Sequence, residues 1–165
     1  MADAVTHILV VIVILDLLRH YIFGKERFSR YLIVIGGIAG LMPDIDIIIS
    51  WFVRFITGNT QTIHGVFTHS LFFVLFFVAI GVAMRVKREY ATARIFYVIA
   101  FGWFMHIVLD WGFGEYKAIF WPFFTTSAAI FPTWHIWPYA VQIDAILLVL
   151  WLVHEEWHNN IKDYF

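Results

Sequence analysis

Five apolar stretches, at roughly 4 to 23, 31 to 53, 66 to 84, 95 to 112 and 137 to 154, constrain this chain more than any other feature. A helix that crosses a bilayer needs about 20 mostly apolar residues, because hydrocarbon offers no partner to an unsatisfied backbone amide. The pattern predicts an all-α, polytopic transmembrane helix bundle of about five helices, forming one domain over residues 1–165. Composition points the same way: 62% of the residues are apolar and 14% charged, against about 25% charged in soluble domains. A further stretch from Ala118 to Pro132 holds Pro122, Pro132 and a Thr-Thr-Ser cluster. It is too short to cross and is expected to form a re-entrant or interfacial segment.

Met1 to His20 lacks the basic head and small-residue cleavage site of a secretory signal, so it reads as the first spanning helix. Seven of the 11 basic residues fall in two short loops, 24 to 30 and 85 to 94, after the first and third helices. Arg19 and Lys162 belong to the same side, and only Arg54 and Lys117 lie opposite. The positive-inside rule therefore makes these loops cytoplasmic in an integral cell-membrane protein and puts the start of the first helix outside. A net charge of −1 gives no reason to expect a nucleic-acid partner. Membrane lipid is the expected surrounding, and a lipid-like molecule the expected substrate.

Ionisable side chains inside a membrane cost several kcal/mol unless they are paired or ligated, so each one retained there is a functional candidate. Four clusters qualify: Thr6-His7 in the first helix, Pro43-Asp44-Ile45-Asp46 in the second, His64 to Ser70 opening the third, and His106 to Asp110 closing the fourth. Counting about 1.5 Å per residue from the cytoplasmic loops puts His7, His69, His106 and Asp110 in the outer half. Asp44 and Asp46 lie near mid-depth or slightly beyond. Segments running in opposite directions thus carry their polar residues to one level, as a single shared site toward the outer face requires.

The spacings suit ligation. His106 and Asp110, four apart, share a helix face. Pro43 removes a helical hydrogen bond, so Asp44 and Asp46 can both turn inward. Thr68 and Ser70 are placed to hydrogen-bond a ligand and orient it. The chain has no cysteine, so His7, His64, His69, His106, Asp44, Asp46 and Asp110 are the candidate metal ligands. They suffice for one or two divalent ions. A nitrogen and oxygen donor set favours zinc, with manganese or iron as alternatives, over magnesium.

The ordered elements Thr6-His7, Pro43-Asp44-Ile45-Asp46, His64 to Ser70, His106 to Asp110 and Trp121-Pro122-Phe123 resemble the YdjM-like group of LexA-regulated, membrane-bound metal-dependent hydrolases. The resemblance runs from about residue 6 to 124. It implies metal-dependent hydrolysis, with the seven His and Asp residues above in the positions of that family's expected ligands. The ligand pattern is also similar to that of zinc-dependent phospholipase C and the single-strand-specific nucleases, which use a helical His-x-x-x-Asp pair. Where the family shows His-Arg-Gly, this chain has His64-Gly65-Val66, so an Arg suited to an anionic substrate is missing.

The expected reaction is hydrolysis of an ester, a phosphoester of an amphiphile, by metal-activated water at the non-cytoplasmic side. Asp44, His69 and Asp110 are the residues expected to carry it, and Arg54 and Lys117 the candidates to hold an anionic head group. Two rival readings rest on other residues. His154-Glu155-x-x-His158 matches the zinc metalloprotease motif, with Asp163 as a possible third ligand. A metal-transporting or metal-sensing protein would need polar residues continuing inward, and Asp16 and His20 are the obvious ones. His135 and Asp144, at the outer end of the fifth helix, are placed to join the main site or to serve structure.

Overall fold

The computed structural model describes residues 4–58, 65, 67–112, 118–123 and 139–159, the side chain of residue 159 excepted. Among them every regular element is helical. Helix α1 (Ala4–Leu18) continues into a π-helical turn (Arg19–Phe23), and α2 (Arg30–Ala39) is joined by a 3-10 turn (Met42–Asp44) to α3 (Ile45–Thr57). Then come α4 (Leu71–Val86), α5 (Tyr90–Gly112) and α6 (Ala140–Asn159). Three units are long and apolar enough to cross a membrane: Ala4–Phe23, Arg30–Thr57 and Tyr90–Gly112. Helix α4 is apolar but has 16 residues, about 24 Å of rise against a hydrocarbon core of about 30 Å. Helix α6 has 20 residues and includes Asp144, Glu155 and Glu156.

Several boundaries depart from the sequence expectation for physical reasons. The second segment, expected as one helix, is two, because Pro43 has no N–H to continue the ladder and sits at the start of the 3-10 turn. Helix α4 begins at Leu71 and not at 66. Residues before it are in turns, and the Ser70 hydroxyl caps the helix by accepting from the Phe72 amide at 3.2 Å. Helix α5 begins five residues earlier than expected, at Tyr90. Its first turns stand against the 24–30 loop, where the Arg94 guanidinium donates to the Arg27 carbonyl. Of the expected re-entrant segment, only residues 118–123 are described. They form turns tied to the start of α4, with the Leu71 amide on the Ile119 carbonyl at 2.9 Å.

Helices α1, α2 and α5 meet at backbone distance. A Cβ added to Gly102 would stand 2.5 Å from the Gly36 carbonyl oxygen and 2.9 Å from the Gly40 nitrogen. One added to Gly40 would stand 3.0 Å from the His7 carbonyl oxygen. Small residues at such crossings let helices approach closely where lipid supplies no hydrophobic drive for association. Below this contact lies an apolar core of Val11, Leu15, Leu32, Ile33, Phe28 and Val98. A second core, Trp103, Ile107 and Ile119, lies between α5, α4 and the 118–123 turn.

Helix α6 lies beside α1 and runs parallel to it. The Thr6 hydroxyl donates to Asp144 at 3.0 Å, Trp151 to Asp16 at 3.3 Å, and Tyr21 stands 3.3 Å from both His154 and His158. Helix α3 turns almost only apolar side chains outward, with Ile48 66% and Phe55 79% exposed. Such a surface is an aggregation hazard in water and an ordinary one in lipid.

The Gly102 contact is backbone against backbone, so no rotamer change relieves it. Gly102→Val is expected to destabilise the bundle by about 1–3 kcal/mol and to loosen the polar site one turn further along α5. Thermal unfolding in detergent, followed with metal content on the same sample, checks this.

Candidate metal centre

Four elements deliver polar side chains to one place. His7 comes from the second turn of α1, Asp44 and Asp46 from the break between α2 and α3, His69 from the turn before α4, and His106 and Asp110 from the last turns of α5. His69, His106 and Asp46 have no exposed surface, and His7 and Asp110 almost none. Only the Asp44 side chain, 15% exposed, reaches the edge of the site.

Four atoms converge: Asp44 Oδ1, His69 Nε2, His106 Nε2 and Asp110 Oδ2. The two nitrogens are 3.1 Å apart. Each stands 3.5 Å from Asp44 Oδ1 and 3.4 Å from Asp110 Oδ2. A tetrahedral ion with bonds of about 2.0–2.1 Å has ligand-to-ligand edges of about 3.3–3.4 Å. Asp44, His69 and His106 form a group able to hold an ion, and the five separations are close to such edges. They are longer than a hydrogen bond between charged groups, about 2.7–2.9 Å. Two carboxylates and two imidazole lone pairs facing one point, away from water, also call for positive charge there.

The lone pairs are aimed by their neighbours. His106 Nδ1 is 2.7 Å from the Gly40 carbonyl oxygen, which can only accept, so Nδ1 carries the proton and Nε2 faces the centre. That carbonyl is available because of the helix break. In a continuing α-helix it would take the Asp44 amide, which here bonds the Leu41 carbonyl at 3.2 Å. His69 is set by a relay. The Thr68 hydroxyl donates to Asp46 Oδ2 at 2.5 Å and so accepts from His69 Nδ1 at 3.0 Å. Asp46 Oδ2 is itself 3.3 Å from His69 Nδ1 and takes the Gly65 amide at 2.9 Å. Trp103 Nε1 donates to the Thr68 carbonyl at 2.7 Å and fixes the turn. Asp46 thus stands behind His69, in the orienting position that carboxylates take around metal-bound histidines.

His7 extends the site. Its ring stacks on His106 with centroids 3.8 Å apart, and its Nε2 is 3.3 Å from Asp110 Oδ1. Asp110 therefore turns one oxygen to the four-atom set and the other to His7, as a carboxylate does between two cations. His7, His106 and Asp110 together form a second group able to hold an ion.

The remaining sequence candidates are distributed differently. Ser70 serves as the cap of α4. Arg54, in the last turn of α3, is about 12 Å along that helix from Asp46 and lines a small hollow of about 270 Å³ with Trp51 and Phe55. Asp144 is engaged by Thr6 and so ties α6 to α1. His64, Lys117, His135 and Asp163 lie outside the described residues. Sequence reasoning did not single out the Gly40 carbonyl, the Gly65 amide or Trp103. The glycine before the Pro-Asp-x-Asp break is the sequence signal from which the first of these could have been found.

Fold and site together define an integral membrane helix bundle with residue groups able to hold a metal ion near one end. The chain matches the family model described as YdjM inner membrane protein over residues 1–161, and it belongs to that family. No curated protein and no solved structure matches it.

If Asp46 and Thr68 orient His69, their loss weakens metal binding without removing a ligand. Asp46→Asn and Thr68→Val are expected to lower zinc affinity at this centre about 10–100-fold, and Asp110→Asn to abolish binding at this centre. Competition titration against a chromophoric chelator measures both.

Proposed function

We propose that this chain is a membrane-embedded, metal-dependent hydrolase that cleaves an ester, specifically a phosphoester of a lipid-like amphiphile, at the non-cytoplasmic side. The observation that carries this reading is the set Asp44, His69, His106 and Asp110, whose nitrogen–nitrogen and nitrogen–oxygen separations of 3.1–3.5 Å lie near the ligand edges of a tetrahedral ion, and in which Asp44 reaches the edge of the site. Zinc suits the donor set, with manganese or iron as alternatives. A divalent ion held there would supply Lewis acidity, toward water and toward the ester oxygen. The protein's own groups do the rest. His106 and His69 are locked in the ligating tautomer by Gly40 and by the Thr68–Asp46 relay. Asp44, at the rim, meets whatever enters, and His7 beside Asp110 is placed to take and return a proton.

A lipid-like substrate follows from the surroundings. The opening at Asp44 is where α3 begins, and α3 presents an exposed apolar flank of Ile48, Phe52 and Phe55, along which acyl chains pack without meeting water. Arg54, which lines a small hollow with Trp51 and Phe55, offers a cation beside that flank for a phosphate.

Transport is disfavoured by the packing of α1. Between His7 and Asp16 that helix buries Val11 and Leu15 in an apolar core, which interrupts a polar path across the membrane. The His-Glu-x-x-His segment lies at the opposite end of α1, beside Asp16 and Tyr21, and supplies nothing to the outer centre.

Metal-stripped and zinc- or manganese-loaded protein, assayed on chromogenic phosphoesters with and without an alkyl chain, tests this. Turnover is expected only with metal and is expected to be higher on the alkylated ester. It should vanish in His69→Ala together with the metal bound at the outer centre. Arg54→Gln should raise KM about 5–10-fold, about 1 kcal/mol for an exposed charge contact, with metal content intact. Full turnover by the metal-free chain defeats the proposal. Loss in Glu155→Gln together with retention in Asp110→Asn assigns the chemistry to the protease-like motif.

A further inference from the structure

The cytoplasmic end of the bundle holds a second gathering of ligand-type side chains that the outer centre does not use. Asp16 and His20 from α1 and its π-helical turn face His154 and Glu155 from α6. Each offers a ligand atom, and these atoms all lie within 4.8 Å of one another. Helix α1 contributes through four-residue spacing, Asp16 with His20, which puts two side chains on one face, and α6 contributes the adjacent pair His154 and Glu155. Facing pairs of this kind are how helix bundles build metal sites.

His158 Nδ1 is 3.0 Å from the His154 carbonyl oxygen, and His20 Nδ1 is 2.9 Å from that of Asp16. Both Nδ1 atoms therefore carry protons, and both Nε2 atoms carry lone pairs. The Tyr21 hydroxyl lies between His154 Nε2 and His158 Nε2, 3.3 Å from each, and its one hydrogen can serve only one of them. His154 Nδ1 is buried without a hydrogen-bond partner among the described residues, 3.6 Å from Asp16 Oδ2. The carboxylates are balanced from outside the cluster, with Arg19 3.9 Å from Asp16 and Arg30 3.8 Å from Glu155. Arg19 is held in that place by its bond to the Phe28 carbonyl at 3.0 Å.

We propose that Asp16, His20, His154 and Glu155 bind a divalent transition metal of the zinc class at the cytoplasmic end, separate from the outer centre. Imidazole nitrogen with carboxylate oxygen is the donor set such ions select. Asp16 is about 14 Å along α1 from His7, so the two centres share a helix and no ligand. Here Glu155 is a ligand and His154 pairs with residues of α1. The His-Glu-x-x-His segment then acts as half of a clasp and not as a protease site. Metal from the cytoplasm would fasten α6 to α1, reinforcing the Thr6–Asp144 link at the other end.

The absence of cysteine from the chain permits a specific test on the full-length protein in detergent. His154→Cys and His20→Cys each replace one zinc ligand by another. Titrated with cobalt, both variants are expected to show a thiolate-to-cobalt charge-transfer band with the intensity of one cobalt–thiolate bond per chain, saturating within the two equivalents that the two centres take up, and displaced by zinc. Trp157→Cys, at an 83% exposed neighbour, is expected to show none. A chain lacking the outer ligands, His69→Ala with Asp110→Asn, should still take up one equivalent of zinc. No band from either cysteine variant, or no uptake by that chain, overturns the proposal. The outer centre is read independently by its loss in Asp110→Asn alone.

Discussion

Removing Asp44, Asp110 and two imidazole lone pairs from water, and pointing them at one another, is the unfavourable act around which this fold is organised. An ionisable group at the centre of a bilayer costs roughly 2.5–3.5 kcal/mol even on permissive scales, and several at one point add like-charge repulsion. A cation at the point of convergence would offset both costs. A bundle built for packing alone would have no use for the arrangement, since apolar residues of the same volume would serve better. The stacking of His7 on His106 and the bonds from Gly40, Thr68 and Trp103 keep the groups from relaxing outward.

Delivering that geometry needs irregular backbone, and each irregularity has a local cause. Pro43 stops α2 and forces a 3-10 turn, which diverts the Asp44 amide to Leu41 and frees the Gly40 carbonyl. The freed carbonyl lies within reach of α5 only because Gly102 lets the two backbones touch. A methyl group at Gly102 and a regular helix at Asp44 would disturb the same bond, from His106 to Gly40. Tautomer control, helix interruption and small-residue packing are one device seen at three scales.

Much of this was legible in the sequence, and the limits have physical reasons. The apolar segments and the shared depth of His7, His69, His106 and Asp110 followed from helical rise and charge asymmetry, which depend on local sequence. The division of labour between Asp44 and Asp46 did not. Two carboxylates two residues apart differ only in direction, and that direction is set by where the turn before α4 carries Thr68 and His69. The early start of α5 and the late start of α4 were hidden because hydropathy ignores Tyr90 to Arg94 and rewards Val66 and Phe67. The partnership of α6 with α1 was also hidden, since helices remote in sequence choose neighbours by tertiary fit. Thr6 with Asp144, and Asp16 with His154, become pairs only once the helices run parallel.

Helix α1 joins the two polar levels and keeps them apart. Its outer end gives His7 to one cluster, its inner end gives Asp16 and His20 to another, and Val11 and Leu15 between them are sealed in the apolar core. An ion passing between levels would have to shed its ligands inside that core, where nothing replaces them. The inner cluster is therefore better placed to hold the bundle together than to feed the outer one. Stiffness at the inner end of α1 matters to chemistry at the outer end, because a ligand set with edges near 3.4 Å tolerates little drift of His7 relative to Asp110. On this account the polar residues at both ends serve one requirement, a rigid α1, and the apolar band between them keeps the two polar clusters from joining into a channel.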